Sequence, residues 1–203
     1  MTKAVVDIET DGLDATKIHC IVAQHYQTGE TRQWVGDECA QFGGWSGKID
    51  QFIMHNGISF DGPILNRLAN AKIRPDQIRD TLIESQLYNP VRDGGHSLQS
   101  WGERLNYTKG ELHEFSEYSP EMLEYCIRDT ELTRKLGASL EKEGRIFSPQ
   151  AYELERQIRS IIDRQQDNGF AFNLMEGQIL LAQLEDEQHQ LEAQANDMFE
   201  PTE

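Results

Sequence analysis

The first predicted strand carries two carboxylates, Asp7 and Glu9, that could act together. Residues 4–10 form a short apolar run rich in β-branched side chains, which is typical of a strand buried on both faces. Because side chains alternate along a strand, both acids point the same way near its C-terminal end. Two like charges in a poorly solvated site repel each other unless a positive charge lies between them, and a divalent cation with oxygen ligands meets that need.

This Asp-x-Glu triplet is weak evidence by itself, because the chain contains 35 acidic residues. A second triplet of the same form, Asp129-Thr130-Glu131, occurs later in the sequence. The simpler alternative is a strand end whose acids reach solvent. A site is indicated only if carboxylates from other elements converge on the first strand.

The helix predicted over residues 120–143 is the second informative element. Ser119 supplies an N-cap, and Pro120 suits the first helical position. One face of this helix, with spacings of three and four residues, consists of Tyr125, Asp129, Leu132, Leu136 and Leu140. Asp129 interrupts an apolar stripe, where an unpartnered carboxylate would be costly, so it requires a cation or a hydrogen-bond donor.

The other elements predict an α/β fold. Residues 18–26 and 31–35 are predicted strands joined by so short a turn that they must be antiparallel. A fourth buried strand is expected within 49–55, and an irregular stretch with one helical turn precedes it. Residues 80–87 are expected to pass from a short strand into a helix. Further helices are predicted over 63–70, 96–105 and 149–167, and from residue 173 onward.

Composition restricts the possible partners. The formal charge is −16, from 35 acidic and 19 basic residues, which argues against an extended phosphate-binding surface. An enzyme that holds a few nucleotides through metal ions and stacking needs little basic surface of its own. The three cysteines have no paired spacing, so neither a zinc site nor a disulfide framework is expected. We expect no membrane association and an intracellular protein, because neither a secretion signal nor a spanning apolar run occurs.

The carboxylates resemble, in their order along the chain, the three motifs of the DEDD 3′→5′ exonucleases. The matching segments are Asp7-x-Glu9, Asn56-x-x-x-Phe60-Asp61 and Tyr125-x-x-x-Asp129. Position 124 is Glu, where the histidine subgroup would have His, so the resemblance is to the tyrosine subgroup. Within it, residues 3–143 look most like the proofreading exonuclease domain of family A DNA polymerases, especially those of short-tailed bacteriophages. The segments 80–82 and 96–102 resemble the same group.

This resemblance implies a ribonuclease H-like mixed sheet with flanking helices, followed by a C-terminal helical appendage. The exonuclease domain is expected to span residues 1–146. Residues 147–203 resemble the start of a family A polymerase domain, so the implied partner is the remainder of such a polymerase, attached covalently or as a separate chain. The implied location is the cytoplasm, that of the bacterial host if the protein is phage-encoded.

The resemblance also assigns roles at the site. Two divalent cations are implied, Mg²⁺ with Mn²⁺ as a substitute, since all the ligands are oxygens. Asp7 would contact both ions, Glu9 and Asp129 would complete one ion site, and Asp61 would support the other. Tyr125 would orient the attacking water, because a tyrosine hydroxyl, with an ordinary pKa of about 10, is a poor base at neutral pH.

The implied substrate is the 3′ end of single-stranded or mismatched DNA, since a paired end must first be separated. The residues carried over as contacts to its terminal nucleotides are Thr10, Leu13, His55, Asn56 and Phe60. Two alternatives stay open. One is an exoribonuclease of the ribonuclease D type, which shares these motifs, and the other is a non-catalytic scaffolding module of a split polymerase.

Overall fold

A five-stranded mixed sheet forms the centre of the protein in a computed structural model that describes residues 1–107 and 117–199. Its strands are β1 Lys3–Thr10, β2 Ile18–His25, β3 Thr31–Val35, β4 Gln51–Met54 and β5 Ile78–Asp80. The order across the sheet is β3-β2-β1-β4-β5. β2 is antiparallel to β1 and β3, whereas β4 is parallel to β1 and to β5. The predicted α/β class and the predicted antiparallel pairing of residues 18–26 with 31–35 are confirmed.

Seven α-helices accompany the sheet in the described ranges. They are α1 Phe42–Ser46, α2 Asp61–Leu68, α3 Thr81–Tyr88, α4 Leu98–Arg104, α5 Pro120–Glu143, α6 Pro149–Asn168 and α7 Leu174–Met198. α5 has the predicted bounds, because the Ser119 hydroxyl caps it by accepting a hydrogen bond from the Met122 amide at 3.2 Å. Its Pro120 occupies the first turn, where the missing N–H costs nothing.

Helices cover both faces of the sheet. On one face, Met122 and Cys126 of α5 pack against Cys20 and Val22 of β2. The main core cluster lies on the other face, where α2 and α1 pack over Val6, Ile8 and other side chains of the sheet. β1 is therefore the middle strand of a buried sheet, and side chains on its α5-facing side have little access to water.

Two local predictions need correction. The strand that was expected to begin at Asp80 ends there, because the Asp80 carboxylate caps α3 by accepting from the Leu82 amide at 2.9 Å. The stretch expected to be irregular with one helical turn contains a 3₁₀ segment, Gly36–Gln41, and α1. The rings of Trp34, Phe42 and Trp45 pack together there with centroids 5.1 to 5.4 Å apart, which stabilises the turns.

The chain divides into two compact units, Met1–Asp163 and Arg164–Glu203. The first contains the sheet, α1 to α5 and most of α6. The predicted boundary after residue 146 rests on the resemblance and stays a prediction. α7 has no buried residue, and its apolar side chains, such as Leu180, Leu184 and Leu191, are exposed.

Among the described residues, none of the helices is both long and apolar enough to cross a membrane.

Candidate active site

The C-terminal half of β1 brings Asp7 and Glu9 to one face of the sheet, as alternation predicts. One ligand atom from each of Asp7, Glu9 and Cys126 lies within 4.8 Å of the other two. Glu9 is buried and Asp7 is half-buried. The pairing between β1 and β2 shifts register between Glu9 and Thr10, so the acids lie where the regular strand pairing ends.

Asp61 and Asp129 reach the same place from two helices. β1 and β4 are parallel, so their C-terminal ends share one edge of the sheet, and Asp61 begins α2 shortly after β4. Asp129 comes from the stripe of α5 that packs on the sheet, and both acids are 5% exposed. The charges of Asp129, Asp61 and Glu9 all act on Asp7 and raise its pKa. The four predicted carboxylates therefore lie close enough together for the charges of the other three to raise the pKa of Asp7.

Burial and mutual repulsion make this cluster electrostatically unfavourable without a cation. Burial raises the pKa of Asp7 well above its usual range, and the charges of Asp129, Asp61 and Glu9 raise it further. Burial likewise raises the pKa of Asp61 to about 7. A group of carboxylate oxygens that resists ionisation by itself is the donor set that Mg²⁺ or Mn²⁺ stabilises, so the residues fit the predicted metal.

Cys126 is a neighbour of the site that sequence reasoning missed. Its thiol donates a hydrogen bond to the backbone oxygen of Asp7 at 3.4 Å. Burial raises the pKa of this thiol well above its ordinary value, so it stays protonated at neutral pH and is a poor metal ligand. The donor set therefore remains oxygen-based. One sequence signal could have indicated this position of Cys126. It lies three residues before Asp129, and this spacing places both side chains on one helix face.

Tyr125 lies one helical turn before Asp129 on α5 and is half-buried. This spacing places Tyr125 on the helix face that also carries Asp129. Its predicted role in orienting water stays a prediction.

The predicted substrate contacts lie at the end of β1 and in the two loops beside it. Thr10 is the last residue of β1, and its hydroxyl donates to the Gly12 carbonyl at 2.9 Å in the turn that follows. Leu13 lies in that turn and is 89% exposed. His55, Asn56 and Phe60 lie between β4 and α2; we call residues 55–60 the β4–α2 loop. Because this loop ends next to Asp61, it borders the carboxylate cluster. The roles of these five residues in substrate binding stay predictions.

Asp80 supports the β4–α2 loop, a role that sequence reasoning did not predict. Its buried carboxylate accepts hydrogen bonds from the backbone amides of Asn56 at 3.0 Å and Ile58 at 3.1 Å. Asn56 has a left-handed backbone with φ of 65°, which is unusual for a residue other than glycine. The Asp80 carboxylate thus fixes a conformation that the loop would not favour alone. An Asp directly before a helix is a recognisable N-cap signal, but the sequence does not indicate the second set of donors.

The metal-free protein is expected to lose stability as the pH rises through about 7. A carboxyl in the unfolded chain ionises near pH 4, whereas the pKa of Asp61 in the folded protein is raised by burial to about 7. Between these values the folded state binds more protons than the unfolded state, so the free energy of unfolding decreases as the pH rises. Thermal unfolding in EDTA at several pH values measures this slope.

The variant Asp61→Asn should have a shallower slope, because it lacks the carboxyl that titrates. Asp14→Asn, which removes an exposed carboxylate, is the matched control and should keep the slope. Addition of Mn²⁺ should stabilise the wild type more at alkaline than at acidic pH, since the cation competes with protons. An unchanged slope in Asp61→Asn would contradict this assignment.

Comparison with known proteins identifies phage polymerases as relatives. The chain is 24% identical over 236 residues to the DNA-directed DNA polymerase of Escherichia phage T7, an alignment that covers 83% of this chain and 33% of the relative. The DNA-directed DNA polymerase of Enterobacteria phage T3 gives 24% over 233 residues with the same coverage. The chain therefore spans about a third of the length of these relatives. No protein-family model matches it.

Two solved structures share the fold. NrnC of Brucella melitensis bound to pGG superposes with a TM-score of 0.61 at 17% identity, over 84% of this chain and 89% of that chain. Phi29 DNA polymerase complexed with primer-template DNA superposes with a TM-score of 0.51 at 14% identity, over 70% of this chain and 31% of that chain. These matches confirm the predicted ribonuclease H-like exonuclease fold. The chain is a relative of the T7 and T3 DNA-directed DNA polymerases and carries a polymerase-type exonuclease domain, as its motifs predict.

Proposed function

We propose that the chain is a 3′→5′ exonuclease that hydrolyses phosphodiester bonds at single-stranded or mismatched DNA 3′ ends, as the proofreading part of a phage-type DNA polymerase. The observation that carries the proposal is that Asp7, Glu9, Asp61 and Asp129 come from a strand and two helices to one region, where the charges of the other three raise the pKa of Asp7. Placing four carboxylates close together costs free energy because their charges repel each other. Such an arrangement is typical of a site that binds cations.

The four carboxylates would hold two divalent cations, Mg²⁺ or Mn²⁺, which activate the attacking water and stabilise the leaving oxygen. The chain's own residues do the rest. The buried position of Glu9, Asp61 and Asp129 limits water around the reacting phosphate and strengthens the interactions there. Tyr125 holds the attacking water in line by a hydrogen bond from the α5 face that also carries Asp129.

The substrate end would lie between the turn after β1 and the β4–α2 loop. Leu13 is an exposed apolar side chain, so a nucleobase stacked on it would remove both surfaces from water. Phe60, which is partly buried against the core, would add an aromatic edge, while Thr10, His55 and Asn56 would supply polar groups. Stacking tolerates any base, which suits an enzyme that must remove whichever nucleotide was misincorporated.

The remainder of a family A polymerase is the proposed partner, joined covalently or bound as a separate chain in the host cytoplasm. This chain covers 33% of its T7 and T3 relatives, which are DNA-directed DNA polymerases. Residues 147–203 are proposed to begin the polymerase portion; of these, 200–203 lie outside the described residues.

An exoribonuclease of the ribonuclease D type is the second candidate. It is favoured by the match to NrnC. The matched fold covers 89% of the NrnC chain, so there it makes up nearly the whole chain and is not a minor part of a polymerase. The carboxylate cluster would serve either substrate, because it acts on the phosphodiester, which both nucleic acids share.

Digestion of a 5′-labelled single-stranded DNA oligonucleotide in Mg²⁺ tests the proposal. We expect a ladder that shortens from the 3′ end, is abolished by EDTA, and forms faster on a mismatched end than on a blunt paired end, because unpairing costs a few kcal/mol. Equal digestion of blunt duplex would contradict proofreading. Faster digestion of a matched RNA would favour the second candidate, and no digestion of either would leave the scaffolding module.

A further inference from the structure

The β4–α2 loop is contacted by α6, which begins beyond the predicted exonuclease domain. The guanidinium of Arg159 donates from Nε to the Ser59 hydroxyl at 2.5 Å. Asp163, one turn further along α6, accepts from the same hydroxyl at 2.8 and 2.9 Å and pairs with Arg159 at 3.1 Å. The Ser59 hydroxyl can therefore donate to Asp163 while it accepts from Arg159, and all three groups are satisfied together.

A second nitrogen of Arg159 reaches the side chain of Asn56. Its Nη2 donates to the amide oxygen Oδ1 at 3.4 Å, a long hydrogen bond with a charged donor. Asp80 fixes the backbone of Asn56 from the other direction. With the oxygen engaged by Arg159, the amide nitrogen Nδ2 is the end that remains for a ligand, and no described residue is seen to accept a hydrogen bond from it.

We propose that Arg159 is a positioning residue for the substrate 3′ end: it orients the Asn56 amide so that Nδ2 donates to a phosphate or sugar oxygen of the terminal nucleotides. This inference rests on the proposed function and deepens it. The charge of Arg159 is already balanced by Asp163, so its contribution is orientation and not long-range attraction of the nucleic acid. The binding site then includes a residue of α6.

Binding of a 5′-fluorescein-labelled single-stranded DNA in Ca²⁺, followed by fluorescence anisotropy, tests the role without requiring turnover. Arg159→Leu should weaken binding about tenfold, the value expected when a hydrogen bond from a positioned donor is lost. Arg159→Lys keeps the charge but not the planar fork that spans Ser59 and Asn56, so it should also bind more weakly. Arg156→Leu is the matched control, because Arg156 pairs with Glu153 within α6, and it should bind like the wild type.

A double-mutant cycle shows whether Arg159 acts through Asn56. The double variant Asn56→Ala/Arg159→Leu should bind no more weakly than Asn56→Ala alone. Additive losses, wild-type affinity in Arg159→Leu, or full affinity in Arg159→Lys would overturn the inference. Unchanged thermal unfolding of the variants excludes a general loss of structure as the cause.

The two proposals fail in different ways. A wild-type chain that binds DNA in Ca²⁺ but does not cleave it in Mg²⁺ would overturn the exonuclease proposal, while the affinities of the variants still decide the role of Arg159. A chain that cleaves DNA, with Arg159→Leu indistinguishable from wild type in affinity and in KM, would overturn the role of Arg159 alone. A chain that neither binds nor cleaves would overturn both.

Discussion

Asp7→Asn is expected to lower kcat/KM for 3′ digestion of single-stranded DNA by about a thousandfold or more. The charges of the other three carboxylates all raise the pKa of Asp7, which places Asp7 at the centre of the group. Its removal should therefore weaken cation binding at the whole site. The substitution keeps the size and shape of the side chain. Initial rates of digestion at several oligonucleotide concentrations in Mg²⁺ measure the effect.

The same variant should be more stable than the wild type in EDTA at neutral pH. Burial and the neighbouring carboxylates raise the pKa of Asp7, which means that its ionised form is unfavourable in the folded state. A neutral amide removes that penalty, so a lower activity combined with a higher melting temperature would exclude unfolding as the cause. Asp14→Asn, an exposed change of the same chemistry, should alter neither property. If Asp7→Asn kept more than a tenth of the wild-type activity, the site would be wrongly assigned.

Arg79→Met is expected to lower the free energy of unfolding by about 3 to 5 kcal/mol. The Arg79 guanidinium forms a two-pronged pair with Glu84, with Nε and Nη2 each 2.9 Å from a carboxylate oxygen. The side chains are 9% and 8% exposed. Arg79 also donates to the Gly137 carbonyl at 2.9 Å, so it joins β5, α3 and α5. Removing it leaves the Glu84 charge buried without its main partner.

Urea unfolding followed by tryptophan fluorescence measures this loss, since all three tryptophans lie within the Met1–Asp163 unit. Glu141→Gln is the matched control. It removes another partner of the same guanidinium, but that carboxylate is 48% exposed, so the cost should be about 1 kcal/mol or less. The double variant Arg79→Met/Glu84→Met should recover much of the stability, because it leaves no unpaired buried charge. A double variant as unstable as Arg79→Met would show that packing, and not the buried charge, dominates.

The sequence predicted most of the elements that carry the site. Alternation along residues 4–10 places Asp7 and Glu9 on one face, and the cap at Ser119 with the stripe through Asp129 correctly bounds α5. Both patterns arise from the local repeat of a strand or a helix, which the chain fixes within a few residues. The motifs therefore predict which carboxylates form the site from local sequence alone.

Strand order could not be obtained in this way. The parallel placement of β4 between β1 and β5 depends on contacts between segments far apart in the chain. The same limit applies to Asp80, whose N-cap position is a local signal but whose hydrogen bonds to Asn56 and Ile58 are not. These contacts depend on how the ends of two neighbouring strands meet at the sheet edge.

The sequence by itself determined which residue types could hold a cation, the strand and helix that present them, and the resemblance to polymerase exonucleases. Only the tertiary structure decided that Cys126 lies beside Asp7, that Arg79 joins three elements, and that Arg159 reaches Asn56 from about a hundred residues away. The physical reason is that periodicity records which face a residue occupies, whereas a hydrogen bond or ion pair between distant segments exists only once the sheet has aligned them.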